Sequence, residues 1–288
     1  MQKAALLGLG IMGQGLAGNL LSKGFELTVW NRTAAKAEVL TARGAKLADT
    51  PRQAAAGAEV VIAIVGDDAA SRAVWLGADG ALAGASPGAV LVECSTLSPG
   101  WVRELAGLAA EHGCDFLDAP IAGSKDAAAN AQITLFAGGP AAALERARPA
   151  LEAISRRVVY LGPTGAGTTW KLIYNMMIAV QVAALSEGLA LAEAAGLDME
   201  QVVPLILNGA TGSRIVQAKL PRMVERRYDD TEFALKWMQK DARYAVELAQ
   251  AAGVPLQTAA AAIAVMQAAR EKGLDDRDFA AVIEGVRR

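Results

Sequence analysis

Over the first 160 or so positions the chain alternates short apolar runs with longer stretches of mixed polarity. The runs are KAALLGLG (3–10), LTVWN (27–31), VVIAIVG (60–66), AVLVECST (89–96), DFLDAPI (115–121), ITLFAGG (133–139) and RVVYLG (157–162). Short apolar segments separated by helical stretches predict an α/β unit, a doubly wound and mainly parallel sheet with helices on both faces. Past Gly162 the pattern changes to helical periods rich in Ala, Leu and Glu, with Pro204, Pro221 and Pro255 expected as helix breaks or starts. The expected organisation is therefore a sheet domain over 1–162 and an all-α domain over 163–288, built on a long helix. The most apolar long segment, 170–195, is interrupted by Lys171, Asn175, Gln181, Glu187 and Glu193. It is expected to be a long buried helix and not a membrane span.

Composition narrows the function more than the fold. The 288 residues are 53% hydrophobic and 20% charged with a formal net charge of -2, which gives no bulk electrostatic case for nucleic acid or an anionic membrane as partner. Cys94 and Cys114 have neither metal-ligand nor disulfide-framework spacing, so they are expected to be small buried hydrophobes in a reducing compartment. The first residues lead straight into a strand without a signal-like region, and a cytoplasmic protein is expected. His112 is the only histidine and stands at an expected helix end before Gly113. A Ser-His-Asp triad or a multi-histidine zinc site is hard to build from it, no metal is expected, and any proton transfer falls to another residue type.

The first chemistry-bearing motif is GLGIMG, Gly8-Leu9-Gly10-Ile11-Met12-Gly13, placed between a strand and a helix. Three glycines at this spacing allow a tight turn and close backbone approach to a pyrophosphate, whose charge the helix N-terminus stabilises. This is the fingerprint of a Rossmann-type dinucleotide-binding unit. Its second strand, in FELTVWNRTAAK, usually ends in an acidic residue that holds the ribose hydroxyls. Here Asn31 removes the carboxylate that would repel a 2′-phosphate, Arg32 offers a planar cation and Thr33 a hydroxyl, so NADPH is expected over NADH. Val65 and Gly66 end the VVIAIVG strand at the edge where such sheets bind their ligands.

Four blocks in order, GLGIMGQGLAGNL, DAPIAGS, GAGTTWKLIYN and FALKWMQKD, resemble the β-hydroxyacid dehydrogenases, a family that includes 3-hydroxyisobutyrate dehydrogenase and the tartronate, glyoxylate and succinic semialdehyde reductases. The resemblance implies an NADP-binding domain followed by a helical domain, a small carboxylate substrate, and a homodimer or homotetramer joined through the long helix. Lys171 and Asn175 share a helix face at i, i+4 near its N-terminus, where a partly desolvated lysine is expected to have a lowered pKa. By resemblance, Lys171 protonates the substrate oxygen as hydride arrives, and Asn175 positions the substrate. The resemblance also places Thr96, in CSTLSP, near the nicotinamide, Lys240 on the cofactor, Asp241 in support of the site, and Phe233 along the substrate pocket. Lys236 falls on the same side as Lys240.

DAPIAGS departs from the family's usual Asp-Ala-Pro-Val-Ser-Gly-Gly. Ala122 replaces the serine whose hydroxyl holds the substrate carboxylate, leaving Gly123, Ser124 or a nearby cation for that task. Ala131, in NAQIT, also stands where the family often has glycine. The expected activity is NADPH-dependent interconversion of a small aldehyde or keto acid and its hydroxy acid. The alternatives are an imine reductase on the same scaffold, or a cofactor-binding module without turnover.

Overall fold

The computed structural model describes residues 2–287 and divides into two compact units, Met1–Lys171 and Leu172–Arg288. In the first unit the elements run β1 (Lys3–Leu7), α1 (Ile11–Ser22), β2 (Glu26–Trp30), α2 (Glu38–Thr41), β3 (Lys46–Leu47), α3 (Pro51–Ala55), β4 (Val60–Ala63), α4 (Asp68–Trp75) and α5 (Ala81–Gly84). They continue through β5 (Val90–Glu93), α6 (Pro99–Glu111), β6 (Asp115–Asp118), β7 (Ile121–Ala122), α7 (Lys125–Ala129), β8 (Ile133–Gly138), α8 (Ala141–Ile154) and β9 (Ser155–Gly162).

Spatially the strands lie in the order β3-β2-β1-β4-β5-β6-β8-β7, with β9 beside β8. Pairing is parallel from β3 to β6, whereas β8 runs antiparallel to β6 and β7. The chain leaves β1 toward β2 and β3, then crosses back to β4, so the order reverses between β1 and β4. Ligands of open α/β sheets bind beyond the carboxyl ends of the strands at such a reversal. Alternate side chains serve opposite faces. Ala4, Leu6, Val60 and Ile62 pack with Leu16 and Leu20 of α1, while Ala5, Leu7, Val61 and Ala63 pack with Trp75 of α4 and Trp101 of α6. Two covered faces are why these strands read as nearly unbroken apolar runs. β3 and β7 escape a sequence reading, because two residues carry no periodicity.

The second unit consists of the rest of α9 (Ala166–Ala194), which begins in the first unit, with α10 (Met199–Asn208), α11 (Arg214–Val224), α12 (Leu235–Ala251), α13 (Gln257–Arg270) and a 3-10 segment at Phe279–Gly285. Its core joins Ala179, Val182 and Leu189 of α9 to Leu220, Met223, Met238, Met266 and Ile283. Inside it, Lys219 Nζ donates to both oxygens of Asp278, at 2.9 and 3.0 Å. Asp278 also accepts backbone N–H bonds from Glu232 and Ala280, so this carboxylate fixes the chain just before α12.

The structure corrects the expectations for Pro204, Pro221 and the burial of the long helix, and agrees with those for His112 and the two cysteines. Pro204 and Pro221 lie inside α10 and α11 instead of breaking them. The carbonyls they orphan belong to Glu200 and Gln217, which are exposed, so water can satisfy them. α9 is long and apolar enough to cross a membrane by length and composition, yet only 33% of its most apolar window is buried. It is a core helix along one face, because the neighbouring helices of a single chain reach only that face, and Ile173, Met177 and Leu191 stay exposed. His112 follows α6 as its C-cap, with Nδ1 2.8 Å from the Leu108 carbonyl. Both cysteines are buried, and burial raises both thiol pKa values.

Candidate functional site

The glycine turn shows three different needs. A Cβ on Gly8, which holds φ +105°, would meet the Ile64 carbonyl oxygen at 2.2 Å, and one on Gly13 would meet the Gly8 oxygen at 2.0 Å. These two seat the turn and α1 against β4 without room for a methyl group. A Cβ on Gly10 would meet nothing within 4 Å, so the backbone there is open to an approaching group. α1 has no side-chain cap at Gly10 and no acidic residue in its first turn, whereas Asp67 and Ser98 cap α4 and α6. Uncapped N–H groups at an open turn suit a pyrophosphate, so the residues present fit a dinucleotide. Ile11 is half exposed and Met12 partly so, while the Leu9 side chain is fully buried.

Asn31 does more than vacate a carboxylate. Its Oδ1 accepts the Leu9 N–H at 2.8 Å, and its Nδ2 donates to the Thr33 carbonyl at 2.9 Å. One side chain thus ties the end of β2 both to the glycine turn and to the bend that follows. An aspartate could accept the first bond but could not donate the second. Arg32 and Thr33 are exposed beside this tie.

At the ends of β4 and β5, the Val65 N–H donates to Ser95 Oγ at 2.7 Å. The Ser95 N–H donates in turn to Glu93 Oε1 at 2.9 Å, and Glu93 Oε2 accepts from Ser71 Oγ and Trp75 Nε1 at 2.7 and 2.8 Å. Glu93 is fully buried, and desolvation raises its pKa against the effect of these hydrogen bonds. The network ties Val65 to the end of β5, and Gly66 and the partly buried Thr96 follow next to Val65 and Ser95 along the chain. Neither Glu93 nor Ser95 was picked out from the sequence. The available signal was an acid inside an apolar run, since a buried carboxylate requires partners.

Beyond β6, Ala122 is half buried on β7, opposite Thr134, and offers no donor side chain. Ser124 caps α7: its Oγ accepts the Ala127 N–H at 3.2 Å, which leaves its own hydroxyl proton to donate. Gly123 precedes it at φ +152°, with Ile133 and Ala127 crowding the place of a Cβ. Ala131 sits at φ +53°, which explains why glycine suits this position. Asp118, also passed over in the sequence reading, accepts N–H bonds from Gly165 and Thr168 at the start of α9, each 2.7 Å long. Burial pushes its carboxyl up to about 6 against those bonds. Lys171 is buried, one turn beyond Thr168 on the same helix, with Trp170 edge-on to Phe136 at 6.2 Å.

In the second unit, Asn175 Nδ2 donates to Asp241 Oδ2 at 2.6 Å, and both residues are buried. Lys240 Nζ lies 3.1 Å from Asp241 Oδ1 and over the rings of Trp237 and Tyr244. The structure therefore brings Asn175, Lys240 and Asp241 into one cluster. Lys236 turns elsewhere, to Asp276 at 2.5 Å. Phe233 packs edge-on to Phe279, with ring centres 6.1 Å apart, so part of its surface serves the helical core.

Comparison with known proteins agrees with this architecture. Residues 3–162 match the NAD-binding domain of 6-phosphogluconate dehydrogenase, and residues 165–286 match the NAD-binding region of NADP-dependent 3-hydroxyisobutyrate dehydrogenase. The chain is 35% identical to glyoxylate/succinic semialdehyde reductase 1 of Arabidopsis thaliana, over 99% of this chain and 98% of that one. Among solved structures, 3-hydroxyisobutyrate dehydrogenase from Salmonella typhimurium superposes with a TM-score of 0.90 at 28% identity, covering 99% of each chain. The Mycobacterium tuberculosis 3-hydroxyisobutyrate dehydrogenase superposes at 0.88 with 30% identity, covering 100% of each. The chain belongs to the β-hydroxyacid dehydrogenase family, NAD(P)-dependent oxidoreductases that act on CH–OH donors.

Proposed function

We propose that this enzyme is an NADPH-preferring reductase of small aldehyde acids, of the glyoxylate, succinic semialdehyde and tartronate semialdehyde class, with Lys171 as proton donor. A bound nicotinamide supplies the hydride, and the chain supplies everything else. Lys171 gives a proton to the carbonyl oxygen as it becomes an alcohol, and recovers one from solvent between turnovers. Asn175, fixed by Asp241, orients the substrate. Ser124 and the backbone around Gly123 hold the substrate carboxylate in place of the serine that Ala122 replaces. Phe233 lines the substrate pocket, while Thr96 and Lys240 contact the cofactor. Gly8 to Gly13 cradle the pyrophosphate beside Val65 and Gly66, and Arg32 with Thr33 takes the 2′-phosphate, next to the Asn31 tie.

The observation that carries the reading is the buried Lys171 one turn into a glycine-led helix, in a chain whose only histidine caps a helix elsewhere. A second reading, imine reduction, draws on Ala122, which removes a donor for a carboxylate. Initial rates of NADPH and NADH oxidation with glyoxylate, succinic semialdehyde, tartronate semialdehyde and a cyclic imine separate the two. Aldehyde-acid turnover favouring NADPH supports the proposal. Imine turnover alone transfers it to the second reading, and cofactor binding without turnover sinks both.

The exposed Trp170, Ile173 and Met177 recur on one stripe of α9, which supports association through that helix as a homodimer or homotetramer. Light scattering on the purified protein tests this, and a monomer at micromolar concentration refutes it.

A further inference from the structure

β6 ends in a carboxylate that no salt bridge explains. Asp118 is fully buried, and among the described residues no lysine or arginine pairs with it. Both of its oxygens point to the start of α9. Oδ1 accepts the N–H of Gly165, the residue before the helix, and Oδ2 accepts the N–H of Thr168, its third residue. In a capping box those two N–H groups are satisfied by two side chains of the helix itself. Here Gly165 has no side chain and Thr168 is neither Glu nor Gln, so one carboxylate from a remote strand does both jobs. Its negative charge also suits the positive end of the helix.

The surrounding backbone allows no other seat. A Cβ on Gly167 would meet the Phe136 oxygen at 2.0 Å and the Asp118 carbonyl oxygen at 2.8 Å, and a Cβ on Gly138 would meet Asp118 Oδ1 at 2.6 Å. The first turn of α9 is thus pressed onto β6 and β8 without space for a methyl group. Lys171 follows one turn later, within the same compact unit. We propose that Asp118 is a positioning residue, which holds the first turn of α9 against β6 and thereby fixes where Lys171 stands. The proposal rests on the reading of Lys171 as proton donor.

On the strand beside Asp118 the facing ionisable group is Glu93, and the first ionisable group along α9 is Lys171. Glu93 is bonded to Ser71, Trp75 and Ser95. Glycine occupies the facing position of β8. With its carboxyl pushed up to about 6, Asp118 changes charge within an assayable range. Above that pH both oxygens accept, and below it one carries a proton.

The test is a cycle of wild type, Asp118→Asn, Lys171→Ala and the double variant, assayed with NADPH and succinic semialdehyde, with NADPH affinity read by fluorescence. Asp118→Asn is expected to lower kcat by about tenfold to a hundredfold, the cost of a misplacement near 1 Å, with NADPH affinity within about twofold of wild type. Its acid limb near pH 6 should vanish. In the Lys171→Ala background it should have no further effect, because residues acting as one unit are not additive. Wild-type kcat in Asp118→Asn, or an equal loss in both backgrounds, overturns the proposal. A fully active Lys171→Ala removes the proton-donor reading instead. Hydrogen exchange at the Gly165 and Thr168 amides then tests the cap directly: faster exchange in Asp118→Asn supports it and unchanged exchange overturns it. Should that variant fail to fold, the same two amides in wild type, corrected for intrinsic rates, are expected to lose protection between pH 7 and pH 5, and constant protection overturns the cap.

Discussion

Replacing Ala131 by glycine should stabilise this protein. Ala131 follows α7 at φ +53°, and the Gln132 N–H closes the turn onto the Ala127 carbonyl at 2.7 Å, so a left-handed residue is required after the helix. An L-residue with a Cβ pays about 1–2 kcal/mol for that conformation. Glycine escapes the penalty but loses roughly 0.5–1 kcal/mol more backbone entropy on folding. The difference leaves a net gain of about 0.5–1 kcal/mol, or a Tm rise of roughly 1–4 °C for a unit of this size. Ala129→Gly, inside α7, is the control and should cost about 1 kcal/mol, since glycine there gains no relief. Calorimetry of the three proteins at one pH decides the matter. A Tm for Ala131→Gly equal to or below wild type would refute the reasoning. The same argument applies in the second unit to Arg226, at φ +51°.

The other predictions concern the cofactor, the helical core and pH. Arg32→Ala should lower kcat/KM for NADPH by about tenfold to a hundredfold, the worth of a hydrogen bond to a charged group, and leave the NADH value nearly unchanged; equal losses with both cofactors would remove Arg32 from 2′-phosphate recognition. Lys171→Ala should bind NADPH normally in a fluorescence titration and lose orders of magnitude in kcat, and retained turnover would exclude it as proton donor. Lys219→Met strands the Asp278 carboxylate in the helical core, where its partner is 3% exposed and itself 0%, so urea unfolding should show a loss of about 3–5 kcal/mol. Asp118 has a folded pKa raised to about 6 from an ordinary 3.8, so its contribution to stability is full below the ordinary value and is lost as pH rises through 6. Asparagine does not titrate, hence the Tm of Asp118→Asn relative to wild type should climb between pH 5 and pH 8, and a constant difference would contradict this.

That last prediction opposes the role proposed for the same residue. The ionised carboxylate is the form that holds both N–H groups of α9, yet ionisation in a buried place costs stability. Strain of this kind is common at functional sites, where the fold sustains what the chemistry needs.

The amino-acid sequence by itself determined the layered sheet, the glycine turn and the change to helices after Gly162. Each is written in local periodicity or in a residue type whose backbone freedom is decisive, as with Gly8 and Gly13. It also indicated Asn31, Arg32 and Thr33 as a group, through the absence of an acid where one is usual. What Asn31 does with both ends of its amide depended on the return of β2 beside β1, which brings Leu9 within 2.8 Å. Asp118 capping a helix 47 positions later, Glu93 joining Ser71, Trp75 and Ser95, and Asp278 holding Lys219 were likewise decided only by tertiary structure. A buried polar group must find a partner, but the sequence records only that it is polar and surrounded by apolar neighbours. Which donors come within 3 Å is settled when distant strands and helices pack, because hydrogen bonds depend on position in space and not on separation along the chain.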